Sequence, residues 1–111
     1  MSNKEFIIDP EHIKDLIKPM GYSIVSNKIS QEGLLVGFMY REEPFDEEDS
    51  GWRFLSGTET EDYLDNDTNS KAISVNAVAN HDPAIIPFLK KPEDTSWERI
   101  PEADNFTQTE D

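Results

Sequence analysis

The sequence predicts an α+β domain, a small antiparallel sheet of three to five strands with two short helices packed on it. Three observations lead there. Aromatic and β-branched residues gather in short runs, Tyr22–Ile29, Leu34–Arg41 and Trp52–Ser56, with turn residues between them. Asp-Pro occurs twice, at Asp9-Pro10 and Asp82-Pro83, each time followed by apolar residues at helical spacing. The 111 residues suffice for one core of modest size. Residues 1–101 are expected to form that single domain, and residues 102–111 a disordered acidic tail.

The first helix is expected from Asp9-Pro10. Aspartate caps the open N–H groups of a first turn, and proline at the first helical position sacrifices no hydrogen bond. Ile13, Leu16 and Ile17 mark its buried face, and Pro19 and Gly21 stop it. Tyr22–Ile29 follows as a strand, 30–33 as a turn, and Leu34–Arg41 as a returning strand, which together predict a hairpin. Apolar residues on both faces of the returning run suit an interior strand, and Gly37 within it marks a bulge or a close neighbour.

Trp52–Ser56 is the third strand, with Gly51 and Gly57 as turn residues and Trp52 and Phe54 on one face. Residues 59–64 fit one helical turn, 65–70 a polar loop, Ala72–Val75 a short strand and Asn76–Asn80 another helical turn. After Asp82-Pro83, the residues Ile85, Ile86, Phe88 and Leu89 give the second helix an apolar face, which Pro87 shortens or kinks. Lys90 and Lys91 suit its last turn and Pro92 ends it. Thr95–Ile100 adds an edge strand with Trp97 turned inward.

Ten basic residues against 24 acidic ones give a formal charge of −14. Nucleic acid and anionic membrane surfaces are poor partners for such a chain, because both are held chiefly by Lys and Arg. A basic protein is the partner that the charge favours. The acids are blocked along the chain: residues 42–67 hold eleven acids and one Arg, a net −10, whereas residues 68–91 hold one acid and three Lys, a net +2. The candidate partner-binding residues are Glu42, Glu43, Phe45, Asp46, Glu47, Glu48 and Asp49, an acidic loop between two strands with one apolar side chain in its midst.

No catalytic residue, metal ligand or cofactor is assigned. Cysteine is absent, which excludes disulfides and thiolate chemistry. Asp65-x-Asp67-x-Asn69 opens like a calcium loop, but the positions that need Gly and Glu hold Ser70 and Asn76. His12 and His81 form no zinc motif, and Ser50 follows Glu48 where a nucleophile elbow needs glycine. No signal-peptide pattern and no run of about 20 apolar residues is present, so a cytoplasmic protein is expected.

Val36-Gly37-Phe38-Met39-Tyr40-Arg41-Glu42-Glu43-Pro44 and Asp49-Ser50-Gly51-Trp52-Arg53-Phe54, then Ser56-Gly57, resemble the signature of a bacterial family. It is the polymorphic-toxin immunity protein family thirty-three, formerly a domain of unknown function. Tyr63-Leu64-Asp65-Asn66, Asp82-Pro83-Ala84-Ile85-Ile86 and Trp97-Glu98-Arg99 resemble its later blocks, and the likeness spans roughly Ile24 to Ile100. The resemblance implies a non-enzymatic protein that binds a cognate toxin and blocks it; it supplies no functional residues. Many toxin domains are basic nucleases, which an acidic surface would occlude. Two further readings fit the residues: a small-ligand or cation-binding regulatory module, and a mimic of DNA phosphates.

Overall fold

The computed structural model describes residues 13–109. Its centre is a six-stranded mixed sheet: β1 Tyr22–Ser26, β2 Phe38–Arg41, β3 Asp49–Leu55, β4 Ser70–Ser74, β5 Thr95–Arg99 and β6 Phe106–Gln108. The spatial order is β4-β1-β3-β2-β5-β6. β1 and β3 run parallel, and the other neighbouring pairs are antiparallel. This corrects the expected antiparallel sheet of three to five strands in both number and direction.

The expected hairpin fails for a local reason. The Ser26 hydroxyl accepts from the Lys28 N–H at 3.1 Å, ending β1 and starting the single turn α1, Asn27–Ser30. The chain then runs through residues 34–36 without strand pairing, leaving Leu34 and Leu35 exposed while Val36 is buried, and Gly37 bonds Leu55 and Arg99 through its backbone just before β2. β2 therefore begins only at Phe38, and β3 takes the place beside β1. Gly37 permits a close approach there: a Cβ at this position would lie 2.0 Å from the Ser56 carbonyl oxygen.

The two expected helices are also corrected. The start at Asp9-Pro10 lies outside the described residues, and residues 13–20 show no helix. Side chains from α3, Val75–His81, hold this segment instead. Asn80 accepts from the Lys14 N–H and Asn76 from the Leu16 N–H, both at 2.9 Å, while both amides donate to the Lys14 carbonyl at 2.8 Å. After Asp82 the chain forms a 3₁₀ helix, Pro83–Phe88, with Pro87 inside it. One further turn, α2 Glu61–Leu64, and a 3₁₀ turn at Asp67–Asn69 connect β3 to β4. Among the described residues no helix is long and apolar enough to cross a membrane.

Residue register builds the core across the sheet. Val25 lies opposite Phe54, Phe54 opposite Met39, and Met39 opposite Trp97, so one face carries a continuous row of large buried side chains. Val75, Val78 and Ala79 of α3, with Ile85 and Leu89, join them in one cluster. Trp52 stacks on Phe54 and donates its indole N–H to the Leu89 carbonyl at 3.1 Å.

Within the stretch expected to be a disordered tail, Phe106–Gln108 form β6. Phe106 is buried against Phe88, and β6 pairs with β5, so β5 is an interior strand instead of an edge. Arg99 secures this end: it pairs with buried Asp82, donates to the Val36 and Ala103 carbonyls at 2.8 Å, and lies over the Phe106 ring.

Candidate functional site

The acidic loop leaves β2 after Arg41 and re-enters the sheet at Asp49. Its conformation is set by one cation. Arg53 donates from Nη1 to Asp49 Oδ1 at 2.9 Å and from Nη2 to Asp49 Oδ2 at 2.8 Å, a two-pronged pair on a carboxylate with no exposed side-chain surface. Its Nε donates to Glu42 Oε2 at 2.6 Å, and the Phe45 ring covers the guanidinium at 4.8 Å. Asp49 also accepts from the Phe45 N–H at 2.8 Å and from the Gly51 N–H at 2.9 Å.

These contacts move the charges. Hydrogen bonds from Arg53, strengthened by the backbone donors of Phe45 and Gly51, outweigh burial and hold the Asp49 carboxyl at about 2. Burial pulls the Arg53 guanidinium down, but its pairs with Asp49 and Glu42 prevail and raise it above its ordinary value.

The seven expected partner-binding residues thus fall into two groups. Asp49 is buried and Glu42 half-buried, and both carboxylates are engaged by Arg53. Glu43, Asp46, Glu47 and Glu48 are exposed, with Phe45 among them at 71 % exposure. Asp46 accepts from the Tyr22 hydroxyl at 3.2 Å and from the Glu48 N–H at 2.9 Å, and the Glu48 carbonyl accepts from the Tyr22 N–H at 2.8 Å. The loop therefore presents four carboxylates and one aromatic ring from a backbone tied to β1 and β3.

The second acidic stretch, residues 59–67, leaves the other end of β3, roughly 20 Å away for a seven-residue strand. Glu59 is used internally, accepting from the Ser56 N–H at 2.8 Å and the Gly57 N–H at 3.0 Å. The −10 of residues 42–67 is consequently two separate patches. Among the described residues, no group of three or more His, Asp or Glu is arranged to hold a metal ion.

Sequence reasoning missed Arg53 as the organiser. The signal was present: it is the one cation in a stretch of eleven acids, and it stands between two strand aromatics, where burial demands a carboxylate partner.

A family model described as the Immunity protein Imm33 domain matches residues 23–110. The chain belongs to the Imm33 immunity-protein family. The match takes in every strand after the first residue of β1, including β6, and so the whole acidic loop with Arg53. No curated protein and no solved structure matches the chain.

Proposed function

We propose that this Imm33 protein neutralises a cognate bacterial toxin by binding it, without chemistry of its own, in the cytoplasm of the cell it protects. The contact surface is the exposed part of the loop: Glu43, Asp46, Glu47 and Glu48 steer a basic partner, and Phe45 adds an apolar contact. Glu42 and Asp49 belong to the support, not to the contact, because Arg53 already engages them.

The observation that carries this reading is the economy of the clamp. One buried Arg engages two of the loop's six acids and leaves the other four clustered on a backbone fixed by Tyr22, Asp49 and Gly51. Like charges held together repel one another, and a basic partner relieves that repulsion. A fixed loop also loses little conformational freedom on binding.

Co-expression with a candidate toxin, sought in the product of the gene next to this one, tests the proposal. Survival of the host together with recovery of a one-to-one complex is expected. Toxicity that persists with no complex formed would overturn it.

A further inference from the structure

The described surface holds a second feature of opposite character. A groove of about 710 Å³ runs between residues 17–20 and the end of the 3₁₀ helix, with Ile17, Met20, Ile86 and Leu89 supplying apolar walls. Lys18, Arg41 and Lys90 line it as well, three of the ten cations of a chain with charge −14. Arg41 is held in place by the carbonyls of Ser50, Leu89 and Lys91 at 3.0, 3.3 and 2.8 Å. Among the described residues none of these three cations has a carboxylate within ion-pair distance.

The groove is the complement of the acidic loop. One is concave, apolar and bordered by cations; the other is an exposed loop whose phenyl ring lies with one face over Arg53 and stands among four carboxylates. Both sit at the same end of the sheet. Arg41 of the groove precedes Glu42 of the loop, and Met20 leads through Gly21 to Tyr22, whose N–H binds the Glu48 carbonyl. Neighbouring complementary features are what a two-fold symmetric interface requires, since each copy then gives and receives the same contact.

We infer that the occupant of the groove is Phe45 of a second copy of this chain, giving a closed dimer in which each loop enters the other copy's groove. Lys18, Arg41 and Lys90 face Glu43, Asp46, Glu47 and Glu48 across that interface. The whole-chain charge of −14 repels a second copy at long range. At about 0.15 M salt the screening length is about 8 Å, so the repulsion fades while the contacting charges still attract. The inference does not rest on toxin binding; the dimer covers the loop proposed as the toxin contact, so the two associations compete and the toxin engages the monomer.

Sedimentation equilibrium of the purified full chain at 0.15 M salt, from 1 to 500 µM as a working range of about that width, tests it. A shift from 12.7 kDa to about 25 kDa, twice that mass, is expected. Phe45→Ala should weaken the association by roughly tenfold or more, and so should the double changes Lys18→Glu with Lys90→Glu and Glu47→Lys with Glu48→Lys. All five positions are exposed, so the variants are expected to fold. Mixing the two charge-reversed proteins should give a heterodimer, because one groove and one loop are again complementary. A monomer throughout, an association indifferent to these changes, or no recovery on mixing would overturn the inference. A ladder of higher masses would overturn the closed, reciprocal form.

Discussion

Arg53 and Asp49 face each other through two parallel hydrogen bonds of 2.9 and 2.8 Å, buried where β3 begins beneath the acidic loop. A pair of this kind is worth most when both members are present, because either one alone is a buried charge without compensation. Breaking such a pair costs about 3–5 kcal/mol. Arg53→Met should lower the unfolding free energy in urea by an amount of that order, and so should Asp49→Asn, since the single amide oxygen accepts from only one of the Phe45 and Gly51 N–H groups and the amide NH2 faces the other. Glu42→Gln should cost about 1 kcal/mol or less, because that carboxylate is 44 % exposed and well solvated.

The same pair sets the response to acid. The folded Asp49 carboxyl lies at about 2, below its ordinary value of 3.8. A depressed carboxyl contributes stability that is fully present above the unfolded value and is lost as pH falls toward the folded one. Unfolding free energy should therefore drop between about pH 5 and pH 2 by about 2 kcal/mol from this group alone. Denaturation of the wild type and Asp49→Asn across that range should show the shallower slope in the variant. Equal slopes would remove Asp49 from this role.

Gly21 joins the start of β1 to the loop. Its φ is +97°, and a Cβ there would lie 2.0 Å from the Glu48 carbonyl oxygen. Gly21→Ala combines a left-handed backbone with a clash against the loop, so a loss of about 1–3 kcal/mol is expected from strain alone. Amide chemical shifts of residues 46–48 should move in the variant while those of β5 and β6 stay. Thermal melting and a two-dimensional amide spectrum measure both.

Phe106 reports on how β6 is held. It is 4 % exposed and lies edge-on to Phe88 at 5.3 Å between ring centroids, with Phe88 also beside Trp97. Phe106→Ala should destabilise the domain by about 3–5 kcal/mol. A change below about 0.5 kcal/mol, typical of surface sites, would restore the picture of a dispensable tail.

What the sequence made legible was local. Asp82 caps the element that starts at Pro83, the strand around Ala72 and the helical turn at 76–80 stand as β4 and α3, and Trp52 and Phe54 share a buried face. What it hid was pairing over distance. β1 and β3 are joined in parallel, and nothing in residues 22–26 or 49–55 alone states that direction. The run from Leu34 reads as one strand because it is apolar throughout, yet Leu34 and Leu35 stand exposed outside the ladder that Gly37 and β2 join. Phe106 lay in a polar tail whose composition outweighed a single aromatic. In the loop, composition counted six acids alike, whereas the fold spends Asp49 and much of Glu42 on Arg53. Which carboxylates face outward is a property of that one buried cation.

On the proposed function, the outward-facing carboxylates capture a basic toxin. The most direct measurement of that capture is the association rate of this chain with the candidate toxin sought in the product of the gene next to this one, for wild type and for Glu47→Lys with Glu48→Lys, across a salt series. A wild-type rate that falls steeply with salt is predicted, with the variant slower by roughly tenfold or more at low salt and nearly flat across the series. Identical rates and identical salt slopes for the two proteins would contradict it.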